Sequence, residues 1–333
     1  MKQLQINAYG DIGDNLGFAE VSVPKIKNNQ ILVEIHAAAV NPIDYKIVSG
    51  AFKQISPLKF PAPIGFDVSG VVAEVGSDVT SFGIGDEIYS RVSSHSVGTF
   101  AEYVVVDAEV TAPKPKNLTF EEAAGIPLVG LTTFQAFLDA KMKKGDKVLI
   151  HAGSGGIGTF AIQYAKSQGA TVYTTTSTKN VEWVKKLGAD QVIDYKTENY
   201  LDILKDIDIV YDTLGGDYTV DAFKILKKGG KVISIAGEID EYTANQFGLN
   251  KFIRLILAFK RRKITKQAKL KSAYYRFLLM VANASQLNKI GELLEGGSIK
   301  PVVDKVFNFD DSIEALKYQK SGRAKGKIII KMK

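Results

Sequence analysis

The sequence predicts a two-part α/β protein, a mainly β part followed by a doubly wound parallel sheet. Short alternating strands broken by glycine and proline fill the first ~120 residues, and strand-like and helix-like segments alternate after residue 147. A G-x-G-x-x-G turn joins the first of those strands to the first of those helices. At 333 residues, two domains of about 150 residues each are expected.

In Gln30–Val40 the apolar residues Ile31, Val33 and Ile35 alternate along the chain, which is the period of a strand, and 68–75 and 100–106 read similarly. Turns punctuate this part at Asn41-Pro42, Pro61-Ala62-Pro63, Gly83-Ile84-Gly85-Asp86 and Pro113-Lys114-Pro115. Residues 120–140 are helical in character. Strands at 147–151, 171–175, 191–193, 207–211 and 231–235 then alternate with helices at 156–168, 180–187 and 217–226. A late segment at 275–281, a helix over Ala284–Glu295 and strands at 299–307 and Lys327–Lys331 close the chain.

The 45% apolar and 24% charged residues describe an ordinary globular chain, and the absence of cysteine excludes disulfides, thiol nucleophiles, iron–sulfur clusters and cysteine-ligated zinc. His36, His95 and His151 lie more than fifty residues apart, none in an H-E-x-x-H arrangement, so no metal site is expected. His36 and His151 read as structural and His95 as an exposed loop residue. Neither a signal-peptide core nor a run of about 18 apolar residues is evident, and a cytoplasmic location is the expectation. The net charge of +7 is local: between Tyr242 and Gly291 there is no Asp or Glu, against eleven Lys and Arg.

The strongest local signal runs from Lys147 to Lys166, with Gly153, Gly155 and Gly158 between an apolar strand and an amphipathic helix. Glycines there allow a tight turn, and the backbone N–H groups of Ser154, Gly155, Gly156, Ile157 and Gly158 at a helix N-terminus suit a pyrophosphate. An NAD site places an acid about 20 residues further on, to bind the ribose hydroxyls. This chain has Thr174-Thr175-Thr176-Ser177-Thr178-Lys179-Asn180 and no acid between Lys166 and Val181. Ser177 can hydrogen-bond a 2′-phosphate and Lys179 can neutralise it, so NADPH is the expected cofactor.

Taken together, the chain resembles the medium-chain dehydrogenase/reductase superfamily, in its zinc-independent quinone oxidoreductase (zeta-crystallin-like) branch. The resemblance rests on Asn41-Pro42-Ile43-Asp44, Pro63-Ile64-Gly65-Phe66-Asp67-Val68-Ser69-Gly70, Gly85-Asp86, Gly98 to Tyr103, Ala123 to Thr132, the glycine loop, Leu187 to Tyr195 and Gly322 to Lys327. It implies a GroES-like domain from 1–120 and 297–333 around a Rossmann domain from 121–296, with the active site in the cleft between them. In the zinc-dependent members a Cys ligand stands where this chain has Asn41 and a His ligand where it has Phe66. Hydride would therefore pass to an acceptor that delocalises charge by itself, a quinone or activated alkene, with Asn41, Tyr45 and Lys46 as candidate donors to the developing oxyanion. The alternatives are a 2-alkenal or enone reductase with little quinone activity, and a non-catalytic NADPH-binding interaction or RNA-binding protein. The resemblance further assigns Tyr195, Leu214, Ile235, Ala236, Gly237 and Lys327 to the cofactor and implies a homodimer.

In the basic segment, Phe252, Leu255, Ile256 and Phe259 fall at i, i+3, i+4 and i+7, one apolar helical stripe. Its first reading is a face packed on the parallel sheet or on a partner subunit. The basic residues through 250–271 also suit a membrane surface, and nucleic-acid binding is not expected.

Overall fold

The structure is a computed structural model and describes residues 1–54 and 56–333. It contains two compact units, one made of Met1–Leu131 with Ala282–Lys333, the other of Thr132–Val281.

The first unit is built around the strand Gln30–Val40. Leu32 is buried along with Ile31, Val33 and Ile35, so apolar residues enclose the strand on both faces. It pairs antiparallel with Asp67–Val75, Tyr103–Asp107 and Lys327–Lys331. Asp67–Val75 extends the sheet to Glu87–Arg91 and Thr111–Pro113, and Val303–Asn308 closes it parallel to Lys327–Lys331, giving seven strands. A three-stranded sheet of Leu16–Glu20, Lys2–Ile6 and Ala62–Pro63 lies in the same unit. One core gathers Ile31, Val33, Ile35, Val68, Ile88 and Val106, and another Leu4, Ile6, Val40, Phe100, Leu316, Ile328 and Ile330. Each such side chain stabilises the fold by about 1.5–3 kcal/mol relative to exposure.

The helix Ala284–Glu295 belongs to this unit as well. Leu287, Ile290 and Leu294 are buried, the Tyr89 hydroxyl donates to the Leu287 carbonyl at 2.6 Å, and the Asn117 amide donates to the Leu294 carbonyl at 3.0 Å. The helix Pro127–Asp139 begins in this unit too, with Gly130 against the Ile290 side chain. The boundaries therefore fall at 131/132 and 281/282, later and earlier respectively than the division expected from the sequence.

The second unit is a six-stranded, all-parallel sheet in the order Gln191–Asp194, Thr171–Thr176, Lys147–Ile150, Ile207–Asp212, Leu226–Ser234, Tyr274–Phe277. Numbered along the chain, this is 3-2-1-4-5-6, the doubly wound order whose ligand site lies where the winding reverses, beyond the carboxyl ends of the first and fourth strands.

Between the last two strands come the helices Glu241–Gln246, Lys251–Lys260 and Arg262–Lys271. Here the sequence expectation of a face packed on the sheet is corrected. Phe252, Leu255, Ile256 and Phe259 all face outward and are exposed, Ile253 and Leu257 are half-buried, and the core takes Ile264 of the next helix instead. Periodicity says which residues share a face; what turns that face outward is tertiary. Arg254 pairs with Glu241, Arg261 reaches Glu241 at 3.4 Å and also donates to the Ile239 carbonyl, fixing the opposite side of the helix. Among the described residues, no helix is long and apolar enough to cross a membrane.

Tyr89→Phe should cost about 1 kcal/mol, since its hydroxyl is buried but the Leu287 carbonyl can keep a helical partner. Urea unfolding of the variant and wild type checks it, with the larger loss expected for Leu287→Ala, about 2–4 kcal/mol.

Candidate nucleotide and active site

The glycine loop sits at the expected reversal point. Its entry residue Ala152 adopts φ 54°, a left-handed conformation that costs a non-glycine residue about 1 kcal/mol or more. The Gly153 N–H donates to the Thr175 carbonyl (2.9 Å) and the Gly155 N–H to the Ala152 carbonyl (3.0 Å), closing the turn. A Cβ on Gly153 would lie 2.3 Å from Thr174 Oγ1, and one on Gly158 would lie 2.3 Å from the Ala152 carbonyl oxygen. These two glycines let the helix Gly156–Ser167 approach the strand before it. Gly155, with nothing nearer than 3.4 Å, leaves the backbone accessible. The first intrahelical bond is Thr159 N–H to the Gly155 carbonyl (2.9 Å), so the amides of Gly156, Ile157 and Gly158 lie ahead of the ladder, as a phosphate cradle requires.

At the end of Thr171–Thr176, the buried Asn180 donates to Ser154 Oγ and to Ser177 Oγ, both at 3.2 Å, while its carbonyl accepts from Trp183 Nε1 at 3.1 Å. Asn180 thus brings the two predicted serines together, a role that no spacing in the sequence signals. Lys179 is exposed and makes no ion pair among the described residues. The Tyr195 N–H donates to the Thr176 carbonyl at 3.1 Å, which sets its exposed ring beyond the adjacent strand. The neighbouring Asp194 is held below the usual carboxylate range by the Thr178 hydroxyl and also accepts from the Lys196 N–H.

The other cofactor candidates in this unit are organised by a residue the sequence reading missed. Asp212, fully buried, accepts from the N–H groups of Leu214 and Gly215 (3.0 Å each), from the Thr219 hydroxyl (2.5 Å) and from the Ser234 hydroxyl (2.7 Å), with His151 Nδ1 at 3.2 Å. Ser234 in turn accepts from the N–H groups of Ala236 (3.2 Å) and Gly237 (2.8 Å), and the Ile235 N–H donates to the Asp212 carbonyl (3.0 Å). Burial alone would push the Asp212 carboxyl up, but the hydrogen bond and charge of His151, with those of Thr219 and Gly215, hold it well below the ordinary range. One carboxylate therefore fixes the turns carrying Leu214 and Ile235-Ala236-Gly237. His151 is buried against Asp212, His95 is exposed, and the His36 ring lies tilted at 39° to that of Phe120 with 4.2 Å between ring centroids.

In the first unit, Asn41 starts the helix Pro42–Val48, with Pro42 supplying a fixed φ and Asp44 Oδ2 accepting from the Asn41 N–H at 2.7 Å. That frees the Asn41 side chain. Its Nδ2 donates to Asp67 Oδ2 (2.9 Å) and the Ala39 carbonyl (3.2 Å), and its Oδ1 accepts from Lys327 Nζ at 2.5 Å. Asp67 Oδ1 accepts from the Leu128 N–H (2.9 Å), and Lys327 stands 3.5 Å from Asp67 Oδ2. Burial pushes Asp67 up and Lys327 down, each opposed by the other's charge. Burial, reinforced by Asp67, pushes Asp44 up to about 7.

Of the predicted residues, the structure joins Asn41 and Lys327 in this buried network. Both Asn41 amide protons are committed within it, and the Lys327 ammonium is turned inward. Tyr45 packs at the edge of an apolar core and Lys46 is exposed, neither within the network. Asp67 stands in the Pro63–Gly70 stretch that carries the resemblance, but the sequence assigns it no role, because an Asp beginning a strand carries no spacing signal.

A mainly β unit interrupted by a doubly wound unit with a phosphate-cradling turn defines a nicotinamide-type oxidoreductase of the alcohol dehydrogenase architecture. The family model for the alcohol dehydrogenase GroES-like domain matches residues 27–116, and that for zinc-binding dehydrogenases matches 187–330. The 2-methylene-furan-3-one reductase of Solanum lycopersicum is 36% identical over 342 residues, covering 99% of this chain and 79% of the relative. The chloroplastic NADPH-dependent alkenal/one oxidoreductase of Arabidopsis thaliana is 34% identical, covering 99% and 80%. The solved quinone oxidoreductase from Coxiella burnetii superposes with a TM-score of 0.87 at 32% identity, covering 100% and 99%. The chain belongs to the medium-chain dehydrogenase/reductase superfamily, in its quinone oxidoreductase-like branch.

The raised Asp44 fixes the sign of a pH effect. The folded protein keeps this proton up to about pH 7, whereas the unfolded chain releases it near 3.8, so the group's contribution to stability falls as pH rises through that window and is level above it. Asp44→Asn should therefore gain on wild type between pH 4 and 7, by on the order of 3 kcal/mol. Denaturant unfolding of both proteins across this range measures the difference, and a gap that does not change with pH would contradict the assignment.

Proposed function

We propose that the protein is an NADPH-dependent reductase that passes hydride, without a metal, to an α,β-unsaturated carbonyl or a quinone. The observation that carries the metal-free reading is the Lys327 ammonium on the Asn41 carboxamide, beside Asp67. Of the three groups only the Asp67 carboxylate is an ordinary zinc ligand, since zinc takes thiolate, imidazole or carboxylate, and the resident ammonium repels a second cation. Among the described residues, no group of three or more His, Asp or Glu could hold a metal ion. Conjugated acceptors suit this chemistry because the negative charge created on reduction spreads onto an oxygen without Lewis-acid help.

NADPH supplies the hydride when bound. The chain's part is to bind and orient: the amides of Gly156, Ile157 and Gly158 suit the pyrophosphate, and Ser177, Lys179 and Tyr195 are the groups proposed to hold a 2′-phosphate. Asp212 keeps the turns at Leu214 and Ile235 rigid beside that loop. The names of the tomato and Arabidopsis relatives support the activated alkene as the first substrate class. Tyr45 and Lys46 are the available donors to the developing oxyanion, because the Asn41 amide is already engaged. A homodimer is part of the same proposal: among the described residues Tyr274–Phe277 pairs with one strand only, leaving an open sheet edge for a second copy.

The test is NADPH consumption with an alkenal, an enone and a naphthoquinone and, as a separate assay for alcohol oxidation, NADPH formation from an alcohol and NADP⁺, before and after EDTA treatment. Turnover with a conjugated acceptor that chelation leaves unchanged is the expected result. Loss of turnover to EDTA would overturn the metal-free reading, and tight NADPH binding without any turnover would favour a non-catalytic role. Lys179→Met should raise KM for NADPH about tenfold and leave that for NADH within about twofold, the mark of a lost phosphate contact.

A further inference from the structure

The outward face of the helix Lys251–Lys260 is the largest feature that the oxidoreductase reading leaves unused. Phe252, Leu255 and Phe259 are 71%, 68% and 66% exposed and Ile256 is 43% exposed, and no residue of this helix is buried. At about 100° per residue the four lie within an arc of about 100°, with Lys251 and Lys260 about 90° to either side of its centre. The next helix, Arg262–Lys271, buries Ile264 and leaves Lys263, Lys266, Lys269 and Leu270 exposed. None of Lys251, Lys260, Lys263, Lys266 or Lys269 forms an ion pair among the described residues, and there is no acid from 243 to 290 to supply one. The Arg262 guanidinium stands over the Phe259 ring at 4.1 Å, so charge and apolar surface interleave.

We infer that this face is a docking surface for an anionic lipid membrane. Large apolar side chains flanked by lysines match the two layers of a bilayer interface: the rings and Leu255 enter the acyl boundary, while the lysine stems run outward and leave their ammonium groups at the phosphates. Each exposed lysine near a negatively charged leaflet adds attraction that neutral lipid lacks. A second copy fits the face poorly, because a two-fold contact would set these lysines against their equivalents with no carboxylate between them. Nucleic acid would use the charge and leave the four apolar side chains in water. The inference does not depend on the proposed reaction, but it would bring a reductase next to acceptors dissolved in lipid.

The test is co-sedimentation of the full chain with vesicles of phosphatidylcholine alone or of phosphatidylcholine and phosphatidylserine at about 7:3, at low and high salt. Binding to the anionic vesicles at least tenfold stronger than to the neutral ones, and reduced by salt, is expected. Phe252→Ser with Phe259→Ser should weaken it at least tenfold, as should Lys263→Glu with Lys266→Glu, with NADPH binding and secondary structure unchanged. Phe259→Trp should show a blue-shifted emission on adding anionic vesicles. No binding at low salt overturns the inference. So does binding that the Phe252/Phe259 pair leaves intact, which would mean charge alone, or a wild-type oligomer that this pair dissociates, which would mean the face is covered by a second copy. Retention of an RNA probe that displaces the vesicles and ignores the phenylalanine changes also overturns it.

Discussion

A buried ammonium on a buried carboxamide and carboxylate ties together parts of the first unit that lie far apart in sequence. Asn41 ends the central strand, Asp67 begins the strand beside it, Lys327 begins the strand on its other side, and the Leu128 N–H brings in the start of a helix. Taking a carboxylate and an ammonium out of water costs several kcal/mol per ion, and the cost is offset only when geometry and hydrogen bonds are nearly complete. Such an arrangement has few alternatives: any slip in strand register would leave one charge without its partner. The network therefore specifies the alignment of three strands in a way that interchangeable Ile, Val and Ala side chains do not.

The second unit uses the same principle with a different residue. Asp212 collects two backbone amides, two hydroxyls and an imidazole, so the carboxyl ends of three parallel strands meet at one ionised group. A sheet alone sets strand spacing, whereas the turns beyond it are free to vary. Here they are pinned to a single acceptor, and the glycine loop, packed at contact distance on Thr174 and Ala152, shares that rigidity.

What could be read from the sequence follows from the range of the interactions involved. The glycine loop, its strand and its helix were legible because spacing and backbone conformation encode them locally; so was the acid-free run from Thr174 to Asn180. Asn41 could be singled out only through the resemblance, as the position of a cysteine ligand in the zinc-dependent members. The partners Asp67 and Lys327 could not be paired with it, because only the folded sheet brings positions 41, 67 and 327 together. Asp212 carries no local signal of its role, since its five donors come from four separate segments. The apolar stripe of Lys251–Lys260 was found correctly as a face, and its direction depended on Glu241 capturing Arg254 and Arg261 from the other side.

The Lys327–Asn41 contact also bears on how such a protein can change over evolutionary time. Restoring a thiol at position 41, the position of a cysteine ligand in the zinc-dependent members that the chain resembles, would place it against an ammonium already 2.5 Å away, which would form an ion pair with it. Replacing Lys327 first would take from the Asp67 carboxylate its nearest counter-charge and leave it two neutral donors, and replacing Phe66 by histidine alone would set an imidazole near the Arg91 guanidinium, now 4.8 Å from the Phe66 ring. Each single step is penalised until the others have been taken. The internal cation thus opposes each of these substitutions when it is made alone.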